Sequence, residues 1–218
     1  DEAHKLGLRT SAHIESTEGV EVGLKAGVDT IEHGAPLTDE LLKLFKKNGL
    51  GNASSLTCTL SPALPFAVLS PEKTHSTHVQ KVNGRVVYEG VATATRQALA
   101  NGIPVGLGTD SACPFVTHYD MWREVVYFQR HTGVTPEFAL HTATLKNAQL
   151  LGVANETGSI ETGKSADLIV LDANPLDDLC ALRNVEQVYM AGKPVKYKAK
   201  HLPKIDAELD GIMNGLDN

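Results

Sequence analysis

Four times along this chain a short apolar run is followed by a loop and an amphipathic stretch, and this alternation limits the possible folds more than any other feature. The runs lie near 8–13, 28–32, 54–60 and 103–108. Strands that alternate with helices in this way lie parallel, each joined to the next by a helical crossover. A complete eightfold α/β barrel takes about 250 residues. Four strand–helix units before Gly152 therefore predict an α/β fold containing half of such a barrel.

The helices are signalled by their ends. Glu18 to Ala26 is closed by Gly27, Thr38 is positioned to cap a helix carrying Leu41, Leu42 and Phe45 on one face, and Gly49 stops it. Asp1 to Leu6 reads as the last turns of a helix ending at Gly7. Between 79 and 101 two readings compete: a hairpin turn at Asn83-Gly84, or a helix, favoured from about Arg85 and ended by Gly102. Asp120 to Arg130 reads as a helix, and Thr135-Pro136 opens another running to Leu151. Ser61 to His78, with three prolines, is expected to be a long loop.

After Gly152 the texture changes. Short strands are expected at Ser159-Ile160, Ala166 to Leu171 and Val185 to Ala191, followed by a polar tail from Lys196. The expected division is thus 1–152 for the half barrel and 153–218 for a small β portion and tail.

Three residues stand where apolar runs give way to polar ones: His13 in LRTSAHIES, His33 in VDTIEHGAP and Asp110 in IPVGLGTDSA. In a parallel barrel the carboxyl ends of the strands share one face. Two imidazoles and a carboxylate there are a candidate site for Zn²⁺ or a similar ion. Thr59 and Ser61 follow the third strand and read as ordinary strand-end residues. His75 and His78, three apart in the proline-rich stretch, read as solvated. Trp122, Tyr127 and Phe128 read as wall packing. Gly106 and Gly108 lack the third glycine and the opening helix of a dinucleotide site.

Composition excludes several classes. The net charge is −6 with no basic stripe, which argues against nucleic acid. No apolar run approaches the roughly 20 residues of a membrane span. The N-terminal DEAHKLGLRTSAH lacks the charged-then-apolar order of a signal peptide. Cys58, Cys113 and Cys180 are far apart and odd in number, which suits reduced thiols and a cytoplasmic setting.

The stretches AHIESTEGVEVGLKAGVDTIEHG, GIPVGLGTDSA and GSIETGKSADLIVLDANPL, in that order, resemble the C-terminal half of an amidohydrolase-superfamily enzyme. The likeness is strongest to the prolidase and imidazolonepropionase-like group and covers roughly residues 1 to 195. It implies strand–helix units 5–8 of a TIM-type barrel, with 153–218 contributing a β-sandwich portion. It further implies hydrolysis of a C–N amide bond in a dipeptide, acyl-amino acid or cyclic amide. By position His13 resembles the family's fifth-strand ligand, His33 the sixth-strand ligand and Asp110 the eighth-strand aspartate that binds metal and shuttles the proton. His118 resembles a histidine that faces substrate. The family's HxH pair and carboxylated lysine have no counterpart here, and are expected to precede residue 1. Weak or absent metal binding by the chain alone is therefore expected. Completion of the barrel is expected from an N-terminal half or a second copy of the chain. The alternative is a non-catalytic oligomerising fragment that keeps these residues as relics.

Overall fold

The structure is a computed structural model and describes residues 2–196 and 199–216. Its chain contacts divide it into two units, Asp1–Gly108 and Thr109–Asn218. The change in texture at Gly152 falls inside the second.

In the first unit, α1 (Glu2–Lys5) leads to β1 (Ser11–Ile14), α2 (Thr17–Ala26), β2 (Thr30–His33), α3 (Asp39–Lys46) and β3 (Ser55–Cys58). Two short helices follow, α4 (Leu64–Val68) and α5 (Pro71–Thr74), then the long α6 (His78–Ala100) and β4 (Val105–Leu107). The four strands form one parallel sheet in the order β1-β2-β3-β4. This is half of a TIM-type barrel, as the alternation predicts. Thr38 Oγ1 accepts from the Leu41 N–H and Gly27 closes α2 at φ +87°, both as expected; Ser16 Oγ caps α2 by accepting from the Gly19 N–H, and α3 ends at Lys46, before Gly49. Val20, Leu24, Ile31, Phe45, Leu56, Leu60 and Val91 are fully buried and make the core. At the opposite end of the strands from His33, Asp29 receives hydrogen bonds from the Thr10 N–H at 2.7 Å and from His4 at 2.8 Å. Burial pushes the Asp29 carboxyl up, but these bonds outweigh it and hold the group below the usual carboxylate range.

The stretch from 61 to 101 differs from expectation. The proline-rich segment is not a long loop: Pro65 and Pro71 stand in the first turns of α4 and α5, where a missing N–H does no harm. The helix does not begin near Arg85 either. Thr77 and Gln80 form a reciprocal capping box that starts α6 at His78. Gly84 is not a hairpin residue. It is buried, and a β-carbon added there would lie 2.5 Å from Cβ of Phe66, so its role is close packing of α6 against α4.

The second unit contains α7 (Met121–Thr132), α8 (Pro136–His141), a π-turn at Thr142–Lys146, α9 (Asn147–Leu151), and a three-stranded antiparallel sheet of β5 (Leu168–Leu171), β6 (Val185–Met190) and β7 (Lys193–Val195). The π-turn interrupts what the sequence suggests is one helix to Leu151, and Thr142 and Thr144 there donate back to the carbonyls of Phe138 and Leu140. Ser159-Ile160 is not a strand. The expected polar tail instead folds as α10 (Pro203–Gly215), burying Leu209, Ile212 and Met213.

Helix α10 is tied down by charge. Arg123, only 2% exposed, donates to Asp210 Oδ1 at 2.7 Å and lies 3.3 Å from Asp120. Arg183 reaches the other Asp210 oxygen at 3.0 Å. Both guanidinium groups lie over the Trp122 ring, at 4.4 and 5.5 Å from its centre. Arg130 donates to the Met213 carbonyl. Partial burial raises the Asp210 carboxyl, but the two arginines prevail and hold it below its ordinary value.

Two predictions follow from this packing. A β-carbon on Gly49 would sit 1.7 Å from the Lys25 carbonyl oxygen, whereas Gly102, at φ +69°, has open space. Gly49→Ala should cost on the order of 3 kcal/mol or more in a urea titration, and Gly102→Ala only about 1 kcal/mol of backbone strain. A lowered carboxyl stabilises the fold above its unfolded pKa and loses that contribution as pH falls through the folded value. Asp210→Asn should therefore lower the melting temperature at neutral pH and flatten its decline below about pH 4.

Candidate metal centre

The site is built at the carboxyl ends of β1 and β2. Ile14, the last residue of β1, pairs in register with His33, the last residue of β2. The Ile14 side chain packs into α2: a β-carbon on Gly19 would lie 2.8 Å from its Cγ2, and one on Gly23 2.7 Å from its Cδ1. Successive side chains of a strand leave by opposite faces, so His13 and Glu15 leave by the face away from α2.

His33 is held in a costly backbone conformation. Its φ is +68°, in the left-handed region that few residues other than glycine adopt, and Gly34 follows at +84°. The Gly34 N–H donates to the carbonyls of Ile14 and Glu32, both at 2.9 Å. A β-carbon on Gly34 would meet Leu56 Cδ1 at 2.7 Å. The next loop is clamped by α6, whose Gln97 accepts from the Leu37 N–H and donates to the Leu37 carbonyl. The buried His33 imidazole is thereby fixed against β1.

The result is a compact donor cluster. The rings of His13 and His33 meet edge to face with centres 4.7 Å apart. Donor atoms of His13, Glu15 and His33 all lie within 4.8 Å of one another. Donors around a tetrahedral zinc, each about 2.1 Å from the ion, stand about 3.4 Å apart. His13 and Glu15 are exposed, so rotation of their side chains supplies the contraction while His33 stays in place. Two imidazole nitrogens and a carboxylate oxygen fit Zn²⁺ or another borderline divalent ion.

The sequence-predicted residues are thus distributed unevenly. His13 and His33 come together. Asp110 and His118 belong to the second unit. Asp110, two residues beyond Gly108, is exposed and also adopts the left-handed conformation, at φ +56°, with the Cys113 thiol donating to its Oδ2 at 3.2 Å. His118 is exposed and touches the Tyr119 ring edge on, at 5.3 Å between centres. Together with Tyr119, Trp122, Arg183 and His201 it lines a cavity of about 850 Å³ within the second unit. Thr59 and Ser61 are buried. His78 is exposed at the first position of α6, and His75 caps α5 at φ +51°. Glu15 escapes the sequence reading because it lies one residue past the strand; its signal is the two-residue spacing from His13.

Parallel strands with helical crossovers, and imidazole donors gathered at their carboxyl ends, define an α/β protein of the TIM-barrel type. The family model "Amidohydrolase family" matches residues 1–195, and the chain belongs to that family. A structure of a candidate prolidase from Bifidobacterium longum superposes with a TM-score of 0.94 at 46% identity, over 98% of this chain and 53% of that one. A Xaa-Pro dipeptidase with methionine in its active site gives 0.74 at 29% identity, over 89% and 46%. The imidazolonepropionase of Streptococcus sanguinis is 28% identical over 203 residues, 88% of this chain and 41% of that protein. The chain spans about half the length of the relatives it matches.

Because His33 depends on Gly34, Gly34→Ala should destabilise the first unit by at least about 1–3 kcal/mol through strain at positive φ, with the clash at Leu56 adding to it. A denaturant titration followed by circular dichroism measures this.

Proposed function

We propose that this chain is the C-terminal part of a divalent-metal amidohydrolase that cleaves a C–N amide bond. The observation that carries the reading is the convergence of His13 and His33 at the carboxyl ends of adjacent parallel strands, with ring centres 4.7 Å apart. His13 and His33 would hold the cation, most simply Zn²⁺; Asp110, by its likeness to the family's metal-binding aspartate, would serve a separate ion. When bound, such an ion polarises the scissile carbonyl and lowers the pKa of water to about 7.

The remaining chemistry falls to the chain's own side chains. The Asp110 carboxylate takes the proton of the attacking water as general base and returns it to the leaving nitrogen as general acid. The residue is exposed, with its Oδ2 accepting from the Cys113 thiol. His118, exposed at the rim of the second unit's cavity, would contact the substrate. Similarity to a Xaa-Pro dipeptidase and to an imidazolonepropionase supports a dipeptide, acyl-amino acid or cyclic amide as substrate class. Three cysteines without a disulfide support a cytoplasmic setting, and among the described residues no helix is long and apolar enough to cross a membrane. The barrel portion would be 1–152 and the β-sandwich portion 153–218.

No HxH pair occurs in these residues. Full activity therefore requires donors from another polypeptide stretch, either an N-terminal half or a second copy, joined along β1 or β4. The second reading, an oligomerising chain without chemistry, is favoured by that same absence. The test is an assay on Xaa-Pro dipeptides and N-acyl amino acids with added Zn²⁺, using the chain alone and extended through the sequence encoded ahead of Asp1. Hydrolysis is expected in the extended form, falling by on the order of 10²-fold or more in His33→Ala and in Asp110→Asn. No zinc-dependent hydrolysis in either form would establish the non-catalytic reading.

A further inference from the structure

We infer that Glu15 is a third protein ligand of the cation, so that residues 13 to 33 alone form a complete two-nitrogen, one-oxygen metal seat. The inference rests on reading His13 and His33 as metal donors and goes beyond it. Two ligands on adjacent strands give weak binding that needs donors from elsewhere. Three ligands make the site autonomous.

Four observations converge on Glu15. First, register: Ile14 stands directly across from His33, so residues 13 and 15 straddle the buried imidazole. Second, direction: Ile14 is committed to α2 through Gly19 and Gly23, which sends both its neighbours to the other face. Third, backbone fixation. The Ile14 carbonyl accepts from the Gly34 N–H, and Ser16, the next residue after Glu15, is held as the N-cap of α2. Glu15 is therefore pinned between two fixed points, although its side chain is exposed. Fourth, availability. Among the described residues neither Glu15 nor His13 makes a hydrogen bond or ion pair, whereas nearby carboxylates are engaged: Glu21 with Lys25, Glu32 with Ser11, Asp29 with His4 and Thr10. Glu18 is likewise unengaged, but only His13 and Glu15 have donor atoms within 4.8 Å of His33.

The chemistry suits the set. Two neutral imidazoles and one carboxylate leave a divalent zinc with net charge +1 and a fourth position open, as in catalytic zinc sites with three protein ligands. No covalent step is required. Binding releases only those protons that the histidines carry at the working pH.

The experiment is Zn²⁺ titration of the full chain against a chromogenic chelator, paired with the visible spectrum of the Co²⁺-loaded chain, whose band positions and intensity report ligand number and geometry. The wild-type chain should bind one zinc. Glu15→Gln should weaken binding by about a hundredfold and change the Co²⁺ spectrum, with circular dichroism unaltered. Glu15→His should restore most of the affinity, and Glu18→Gln should match wild type. Wild-type affinity and spectrum in Glu15→Gln would overturn the inference while leaving His13 and His33 as donors if His33→Ala abolishes binding. Failure of the wild-type chain to bind zinc would overturn it outright. Glu15-dependent binding without hydrolysis in any form of the chain would defeat the amidohydrolase reading and leave this one standing.

Discussion

The site depends on a backbone turn. His33 and Gly34 occupy the left-handed region in succession, and a β-carbon on the second would crowd Leu56. Such a turn persists only where its surroundings over-determine it. Here they do: the Gly34 N–H is shared between the carbonyls of Ile14 and Glu32, and Gln97 of α6 grips the loop at both polar groups of Leu37. The reward is an imidazole that is buried yet aimed at the neighbouring strand rather than into the apolar core. Asp110, at the start of the second unit and three residues past the end of β4, also adopts the left-handed conformation, at φ +56°. Both residues whose orientation matters most to the proposed chemistry are held at positions that ordinary side chains avoid.

Much of the first unit is legible in its sequence because its signals are local. A β-strand of four residues bounded by glycine or a capping hydroxyl, and a helix with leucines on one face, are each determined within a few residues: β3 and β4 fall inside their predicted runs, and β1 and β2 each extend one residue past theirs. The failures share a cause. Gly84 reads as a turn residue because glycine is conformationally permissive, but its use is to let Phe66 approach, a contact 18 residues away in sequence that no local window contains. Pro65 and Pro71 read as loop-formers because proline cannot sit inside a helix, yet both stand at helix starts. In the tail, α10 is held by the long-range partners Arg123, Arg130 and Arg183, and its own apolar residues are sparse enough to read as polar coil.

The candidate site shows the same division. His13 and His33 are visible as strand-end residues, and adjacency of their strands follows from parallel order. Glu15 is not, because its claim rests on the register of Ile14 with His33 and on which face Ile14 is forced to take by two glycines of α2. Those are properties of paired strands and a packed helix. Helix α10 carries a related lesson: it lies beyond the residues matched by the family model, and it is anchored through Asp210 to Arg123 and Arg183, residues far from it in sequence.

Strands β1 and β4 close the parallel sheet at either end of its order, and along β1 the residues alternate between exposed and half-buried. A parallel sheet in a finished barrel has no ends. When another polypeptide takes up such a border, its backbone amides and carbonyls become part of the folding equilibrium, and stability ceases to belong to one molecule. The free energy of this fold then obeys mass action: it deepens with concentration and is lost on dilution, like that of an obligate dimer, whatever becomes of the chemistry at its rim.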